Sequence, residues 1–324
     1  MAPGSDESPS NARSWRHVSR REALRDTVAA VGGAALVSPA GASKTTAVDH
    51  GGDAVVRVRV HPGAVPLQAR LWYGSGLDAV RRDWPAPFRD ALAAVEAAFE
   101  QVVAYAREQS RLESLEIAVE RGRPIRFPPS TSLSPDAVLP SLEGLLERFR
   151  ERLRAHDALA GDTSHVLLHW SPLNYRVGYG GTLSPRSLIG AGDDGDAQTV
   201  VNVGATERWD SRAVTRNMAI HETIHTFLSE SVVEEVGGTR CEHDLGTAIR
   251  TDTNTLEISP IATAYASPDR IGAGTRFQGT GCYDHDLFSR HDGTDDVDTW
   301  TYTTTLSDAT CEAIMRHLER RFEA

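Results

Sequence analysis

Ser211-Arg212-Ala213-Val214-Thr215-Arg216-Asn217-Met218-Ala219-Ile220-His221-Glu222-Thr223-Ile224-His225 is the stretch whose reading decides the fold. Asp210-Ser211 suits a helix N-cap, because a short oxygen-bearing side chain can accept from the unpaired amides of the first turn. Val214, Met218, Ile224, Phe227 and Leu228 recur at helical spacing, and no Gly or Pro interrupts Arg212 to Glu230. That pattern predicts one helix over 212–230, ending before Gly237-Gly238. His221 and His225 fall at the polar edge of its apolar stripe. Residues four apart lie one above the other on a helix, so two imidazoles placed this way can share one metal ion. Glu222 sits one step round, within reach of a water on that ion without having to bind it. The grouping His-Glu-x-x-His suits zinc-assisted hydrolysis, with Glu222 as general base. The plain alternative is a surface helix with two solvated histidines.

Outward from this helix the chain alternates strands and helices. Val55 to Val60 alternates apolar and polar residues and reads as a strand. Pro87 to about Gln109 reads as a helix with Phe88, Leu92, Val95, Phe99, Val102, Val103 and Ala106 on one face. Leu115 to Val119 is a strand. Ser134-Pro135-Asp136 opens a helix to about Ala155 that tolerates Pro140. His165 to Trp170 and Thr199 to Val203 are strands, with turns between them at Gly178, Gly180 and Gly181 and a mobile connection around Gly192 to Asp196. The expected class is α/β, a mixed sheet packed with helices. The helix bearing the motif follows, and an irregular C-terminal lobe follows that. Residues 46–228 and 229–324 are the two expected lobes of one domain.

The chain's start suggests its compartment. Arg20-Arg21 precedes a mild apolar run, Val28 to Val37, and small residues Ala40-Gly41-Ala42. This resembles a twin-arginine export signal. Residues 1–45 are therefore set apart from the fold as signal and flexible segment, and the protein is expected to be secreted. The run is too short to span a bilayer stably.

The formal net charge is −11, from 45 acidic and 34 basic residues. Lys44 is the only lysine. An acidic surface of this kind disfavours nucleic-acid binding, which needs a cationic face. It suits solubility at high salt, where the charges are screened. The composition resembles that of proteins from salt-loving archaea.

Catalytic zinc takes three protein ligands and leaves one position open. Cys241-Glu242-His243-Asp244 is the best downstream stretch for the third, past a Gly-Gly turn that could return the chain to the metal. His243 is the favoured ligand, imidazole being a common one for zinc. Asp244, Glu242 and Glu257 remain alternatives. Cys241 is less suited, since an exported thiol tends to be oxidised.

With these residues in view, the chain from Val55 to Tyr265 resembles the metzincin group of zinc proteases. The departures are plain. Those enzymes carry His-Glu-x-x-His-x-x-Gly-x-x-His, whereas this chain has Leu228 at the Gly position and Ser231 at the third His. Residues 230–242 then correspond to an insertion before the third ligand. The resemblance implies a turn beneath the metal at Ser259 to Tyr265, with Ile261 where the family has Met. It also implies that Tyr265 could stabilise an oxyanion, and that Val200 to Val203 could be the edge strand that pairs with an extended peptide. A peptide or protein substrate is the implied partner. A non-peptide amide or ester, or a binding protein with a structural metal, are the competing expectations.

Three cysteines leave one over if two pair. Cys282–Cys311 and Cys241–Cys282 are both open. Asp292 to Asp298 places oxygen ligands where a calcium ion could use them, without matching the EF-hand pattern.

Overall fold

Strand β1 (Ala54–Pro62) shows how the sequence pattern becomes layers. Val56, Val58 and Val60 point one way and are fully buried, while Arg57 and Arg59 point the other and reach Glu120 across to β2 (Leu115–Arg121). The computed structural model describes residues 54–73, 84–111, 115–128, 139–182, 188–190, 195–263 and 284–322. The remaining strands of the first sheet are β3 (Thr163–His169), β4 (Gly180–Thr182) and β5 (Ala197–Asn202). Their order is β2-β1-β3-β5-β4, all parallel except β4, which runs antiparallel to β5 at the edge. β3 is buried as far as Leu168 and β5 throughout, as strands covered on both faces must be.

The covers are helices. Helix α1 (Leu67–Tyr73) follows β1, and α2 (Ala86–Glu108) then crosses one face of the sheet. On that face Phe88, Leu92, Val95, Phe99 and Val102 of α2 meet the β1 valines, Val166, Leu168 and Val201. Helix α3 (Leu142–Ala155) covers the opposite face, packing Leu145, Leu146, Phe149 and Leu153 on Leu167 and Val200. Full burial of a side chain such as Phe149 contributes about 1.5–3 kcal/mol. After β5 come α4 (Val203–Trp209), α5 (Arg212–Ile224) and α6 (Glu230–Gly237). α5 lies beside α2 on the first face.

The C-terminal portion is more regular than its sequence suggested. Strands β6 (Thr247–Asp252), β7 (Thr255–Ile258), β8 (Arg290–His291) and β9 (Thr299–Tyr302) form a second mixed sheet, ordered β8-β6-β7-β9. Helix α7 (Asp308–Phe322) returns to α2, where Arg111 forks onto Glu312 and Glu319. Among the described residues the fold is thus α/β, two mixed sheets packed with seven helices.

Four expectations need correction. Val200 to Asn202 is interior, between β3 and β4, and Val203 already begins α4; the edge is β4, where the glycines had suggested only turns. The helix described before Ala155 starts at Leu142, with Ser141 accepting from Gly144 N, so Pro140 lies outside it. The motif helix does not run on to Glu230. The irregular lobe contains a sheet. The expected export signal and the start of the Ser134 helix lie outside the described residues. No helix among the described residues is long and apolar enough to cross a membrane.

Candidate metal centre

Ser211 caps α5, its Oγ accepting from Val214 N at 3.3 Å. The helix carries His221 and Glu222 in its last turn and stops at Ile224. His225 then opens a single 3-10 turn, His225–Phe227, and Leu228 is extended at φ −107° and ψ 103°. The local cause is threonine. Thr223 and Thr226 turn their hydroxyls back onto Ala219 O and Thr223 O, and Thr226 also meets Ser164 of β3. Such back-bonding weakens the helix ladder, and buried Phe227 and Leu228 anchor the exit. The break comes late enough to keep the histidine pair together, the rings edge to face with centroids 4.7 Å apart. His221 Nε2 and His225 Nε2 lie 3.1 Å apart. Two nitrogens on one tetrahedral zinc at ~2.0–2.1 Å would be separated by roughly 3.3 Å.

After α6, Gly238 adopts the left-handed conformation at φ +71° and reverses the chain. Residues Glu242–Leu245 form a short 3-10 turn that carries His243 to the pair. Its ring centroid lies 5.3 Å from that of His221 and 5.1 Å from that of His225. One ligand atom from each of the three histidines lies within 4.8 Å of the others. Among the described residues this is the group of three or more His, Cys, Asp or Glu side chains that could hold a metal ion.

The surroundings aim the rings. His221 Nδ1 donates to Pro260 O at 2.8 Å, and His225 Nδ1 bonds the Glu242 carboxylate. His243 Nδ1 sits 3.4 Å from Cys241 Sγ. Nδ1 is engaged in all three, and in His221 and His225 Nε2 is left for the shared ion, the arrangement by which outer groups fix a histidine ligand's tautomer and orientation. Donor type, spacing and orientation therefore fit a metal ion.

Burial sets the charge state. It pushes His221 down to about 3, with the neighbouring His225 adding to the effect, and it holds His243 well below the usual range. Both imidazoles stay neutral, the form that binds metal. Burial also pulls on His225, but the Glu242 carboxylate outweighs it and raises the net value. Glu222 is 5% exposed. Burial pushes its carboxyl up to about 7; His225 opposes this, the Glu242 charge adds to it, and a hydrogen bond from Thr182 opposes it.

No protein-family model and no curated protein sequence matches this chain.

The other candidates separate cleanly. Glu242 braces His225 from behind. Asp244 is buried and accepts from Thr239 Oγ1 at 2.6 Å, and Glu257 lies on β7; neither joins the three-histidine group. Cys241 is disulfide-bonded and Cys311 is free and buried, which excludes Cys282–Cys311 and leaves Cys282, outside the described residues, as the chain's only other cysteine. Tyr265 also lies outside the described residues. The turn at Pro260–Ala262 meets His221 through the Pro260 carbonyl, and Ile261 in it is buried. In the Asp292–Asp298 stretch, Asp292 accepts from Arg250 N and Arg290, and Asp298 from Asn254, so these carboxylates already serve the loop itself. Neither the Pro260 carbonyl's part nor β4 was legible in the sequence. A carbonyl's partner depends on tertiary packing, and three residues of Gly-Gly-Thr carry no strand periodicity.

Proposed function

We propose that this protein is a zinc-dependent metallopeptidase, with His221, His225 and His243 as metal ligands and Glu222 as general base. The observation that carries the reading is the pairing of a three-histidine group with a buried carboxylate one residue from the first ligand. A purely structural metal has no use for that carboxylate. Zinc bound there would bring the pKa of water toward ~7 and polarise a scissile carbonyl. Glu222, held near neutrality by its burial, suits both halves of the proton cycle: it takes a proton from the attacking water and later delivers it to the leaving amine. Glu242 and the Pro260 carbonyl keep the two helix histidines turned toward the ion. Tyr265 remains the candidate for stabilising the oxyanion.

A peptide is favoured over a small amide or ester by the position of β4. It ends the sheet among the described residues and lies against Glu222, and a sheet edge offers main-chain hydrogen bonds to an extended chain. The acidic composition and the apparent signal favour a secreted enzyme working at high salt.

Metal content and hydrolysis of unfolded protein substrates should be measured on the same mature protein at high salt, with Glu222→Gln and His225→Ala beside it. Wild type should hold about one zinc and be active. Glu222→Gln should hold zinc without turnover, and His225→Ala should lose the metal. Full activity in Glu222→Gln refutes the general-base role; stoichiometric zinc in His225→Ala refutes the ligand set.

A further inference from the structure

Three segments leave the same end of the first sheet. β1, β3 and β5 are parallel, so α1, the loop at 170–179 and α4, which follow them, all start from their C-terminal ends. Side chains tie the three together. The Tyr73 and Trp170 rings meet edge to face at 5.6 Å, Trp209 Nε1 donates to Pro172 O at 2.6 Å, and a Cβ on Gly204 would lie 2.8 Å from Ser171 N. On this end stand Leu67, Leu71 and Trp72 of α1, Leu173 and Tyr175 of the loop, and Trp209 of α4, each between 40% and 71% exposed. Among the described residues the other exposed large apolar side chain is Leu287, just before β8. Single exposed apolar residues are ordinary, whereas a group gathered at one place marks a contact surface. The same segments carry cations. Arg70, Arg176 and Arg208 belong to them, and the Arg208 guanidinium lies over the Trp209 ring at 5.7 Å. Residues 63–73, 170–179 and 203–210 contain only two carboxylates. Glu207 is buried against Arg212, and Asp210 accepts from the Tyr179 hydroxyl. This end is therefore cationic in a chain whose formal net charge is −11.

We propose that this end of the molecule docks on an anionic lipid bilayer, resting on its surface without spanning it. Leu67 and Leu71 are four apart and share a face of α1, so both can enter the boundary between headgroups and acyl chains. Trp72, Tyr175 and Trp209 have apolar rings with one polar edge, the kind of side chain that settles at headgroup level. The arginines add attraction to anionic headgroups, and their aliphatic stems can lie along the apolar patch while the charge stays in the polar layer. Charge and protrusion both favour lipid over other occupants. A second copy docked here about a two-fold axis would bring the same arginines together. A peptide or small molecule needs a concave site, whereas most of these side chains stand more than half out of the surface. A soft, flat, negatively charged layer can take such tips at whatever relative height they have. The proposal is independent of the metal centre and would keep the protein at a membrane surface.

The test is flotation of the whole mature protein with vesicles of phosphatidylcholine alone and of phosphatidylcholine mixed with an equal part of phosphatidylglycerol. It is run at the lowest salt at which the protein stays folded, because added salt screens the charges. Wild type should float with the anionic vesicles and much less with the neutral ones. Trp72→Ser and Leu173→Ser should each lower partition onto anionic vesicles about tenfold, the scale of losing one buried apolar side chain. Arg208→Gln should lower it about fivefold, the effect of one cation near an anionic surface. Leu287→Ser, exposed but away from this end, should bind as wild type does. All four side chains are exposed, so folding should survive, and circular dichroism checks it; should Trp72→Ser misfold, Leu173→Ser carries the same test. Failure of wild type to float with anionic vesicles overturns the proposal. So does equal partition onto both kinds of vesicle, or a loss in Leu287→Ser as large as that in Trp72→Ser. Sedimentation of each protein without lipid supplies the last outcome: a wild-type dimer that Trp72→Ser and Leu173→Ser convert to monomer, with no vesicle binding, would assign this face to a second copy instead.

Discussion

Glu242 should govern how tightly the three-histidine group binds zinc, although it stands outside that group. Its carboxylate bonds His225 Nδ1, and the two side chains are only 14% and 12% exposed, so water screens the contact poorly. The bond fixes the His225 tautomer with Nε2 toward His221 and raises the electron density of the ring. Groups in this outer position typically contribute 10–100-fold in metal affinity, or about 1.4–2.8 kcal/mol. Glu242→Ala should therefore weaken zinc binding by that factor. Glu242→Gln should fall between, because an amide oxygen can still accept from Nδ1 but carries no charge. Competition against a chromophoric zinc chelator at fixed pH measures both. The carboxylate also lies near enough to Glu222 to raise its pKa, so any change in turnover should be read only at saturating zinc. Unchanged affinity in Glu242→Ala would show that His225 needs no brace and that the contact is incidental. A complete loss of binding, as severe as that of His225→Ala, would instead make Glu242 a ligand.

Two more outcomes follow from groups beside or away from the metal. His61 is 1% exposed and bonds His165 Nδ1 at 3.1 Å; burial, with the neighbouring His165 adding to it, pushes it down to about 3. The unfolded chain would protonate it near pH 6.5, so between pH 6.5 and 3 the unfolded state binds the extra proton and stability falls as pH falls. At pH 5 this amounts to about 2 kcal/mol. Denaturant titrations at pH 8 and pH 5 should show His61→Gln losing less than wild type by about that much, and equal losses would contradict the assignment. At the metal centre, a dithiol reductant should open the disulfide at Cys241 to two thiols, closing its own ring as it is oxidised. His243, tethered two residues away, should then hold zinc less firmly, and transfer of zinc to a chelator should quicken; identical rates before and after complete reduction would count against the tether.

The motif helix was legible because its information is local. Cap, apolar spacing and the histidine pair are all set within fifteen residues, and the structure places His221 and Glu222 on α5, with Ser211 as its N-cap and His225 as its C-cap, where the 3-10 turn begins. His243 was reachable by chemistry, since few residues after the helix suit a metal. What failed was whatever depends on partners far along the chain. Val200 to Asn202 has the composition of a strand wherever it sits, and only the pairing of Gly180 with Val201 shows that another strand lies outside it. The helix break after Ile224 was hidden because no Gly or Pro marks it; it comes from the Thr223 and Thr226 hydroxyls turning back on the helix, with Thr226 also finding Ser164 on β3. The second sheet escaped because β8 has two residues and β9 four, too few to show a period.

The break and the late third ligand are one design. A helix capped at His225 leaves no room for a third histidine one turn on, since the chain must first leave the histidine pair through buried Phe227 and Leu228. α6 and the left-handed Gly238 bring it back, and a loop that returns over this distance costs entropy that a tight turn does not. Cys241-Glu242-His243 offsets that cost with three consecutive side chains. The first is tied covalently, the second bonds His225, and the third completes the three-histidine group. Each contact restricts the other two, because residues so close share one short 3-10 turn and its entry. The physical consequence is cooperativity. Substitution at Glu242 and reduction at Cys241 should not add independently in zinc affinity, since either one releases part of the order the other relies on. A double perturbation that matched the sum of the single losses would mean that the three residues act separately and that proximity in sequence is all they share.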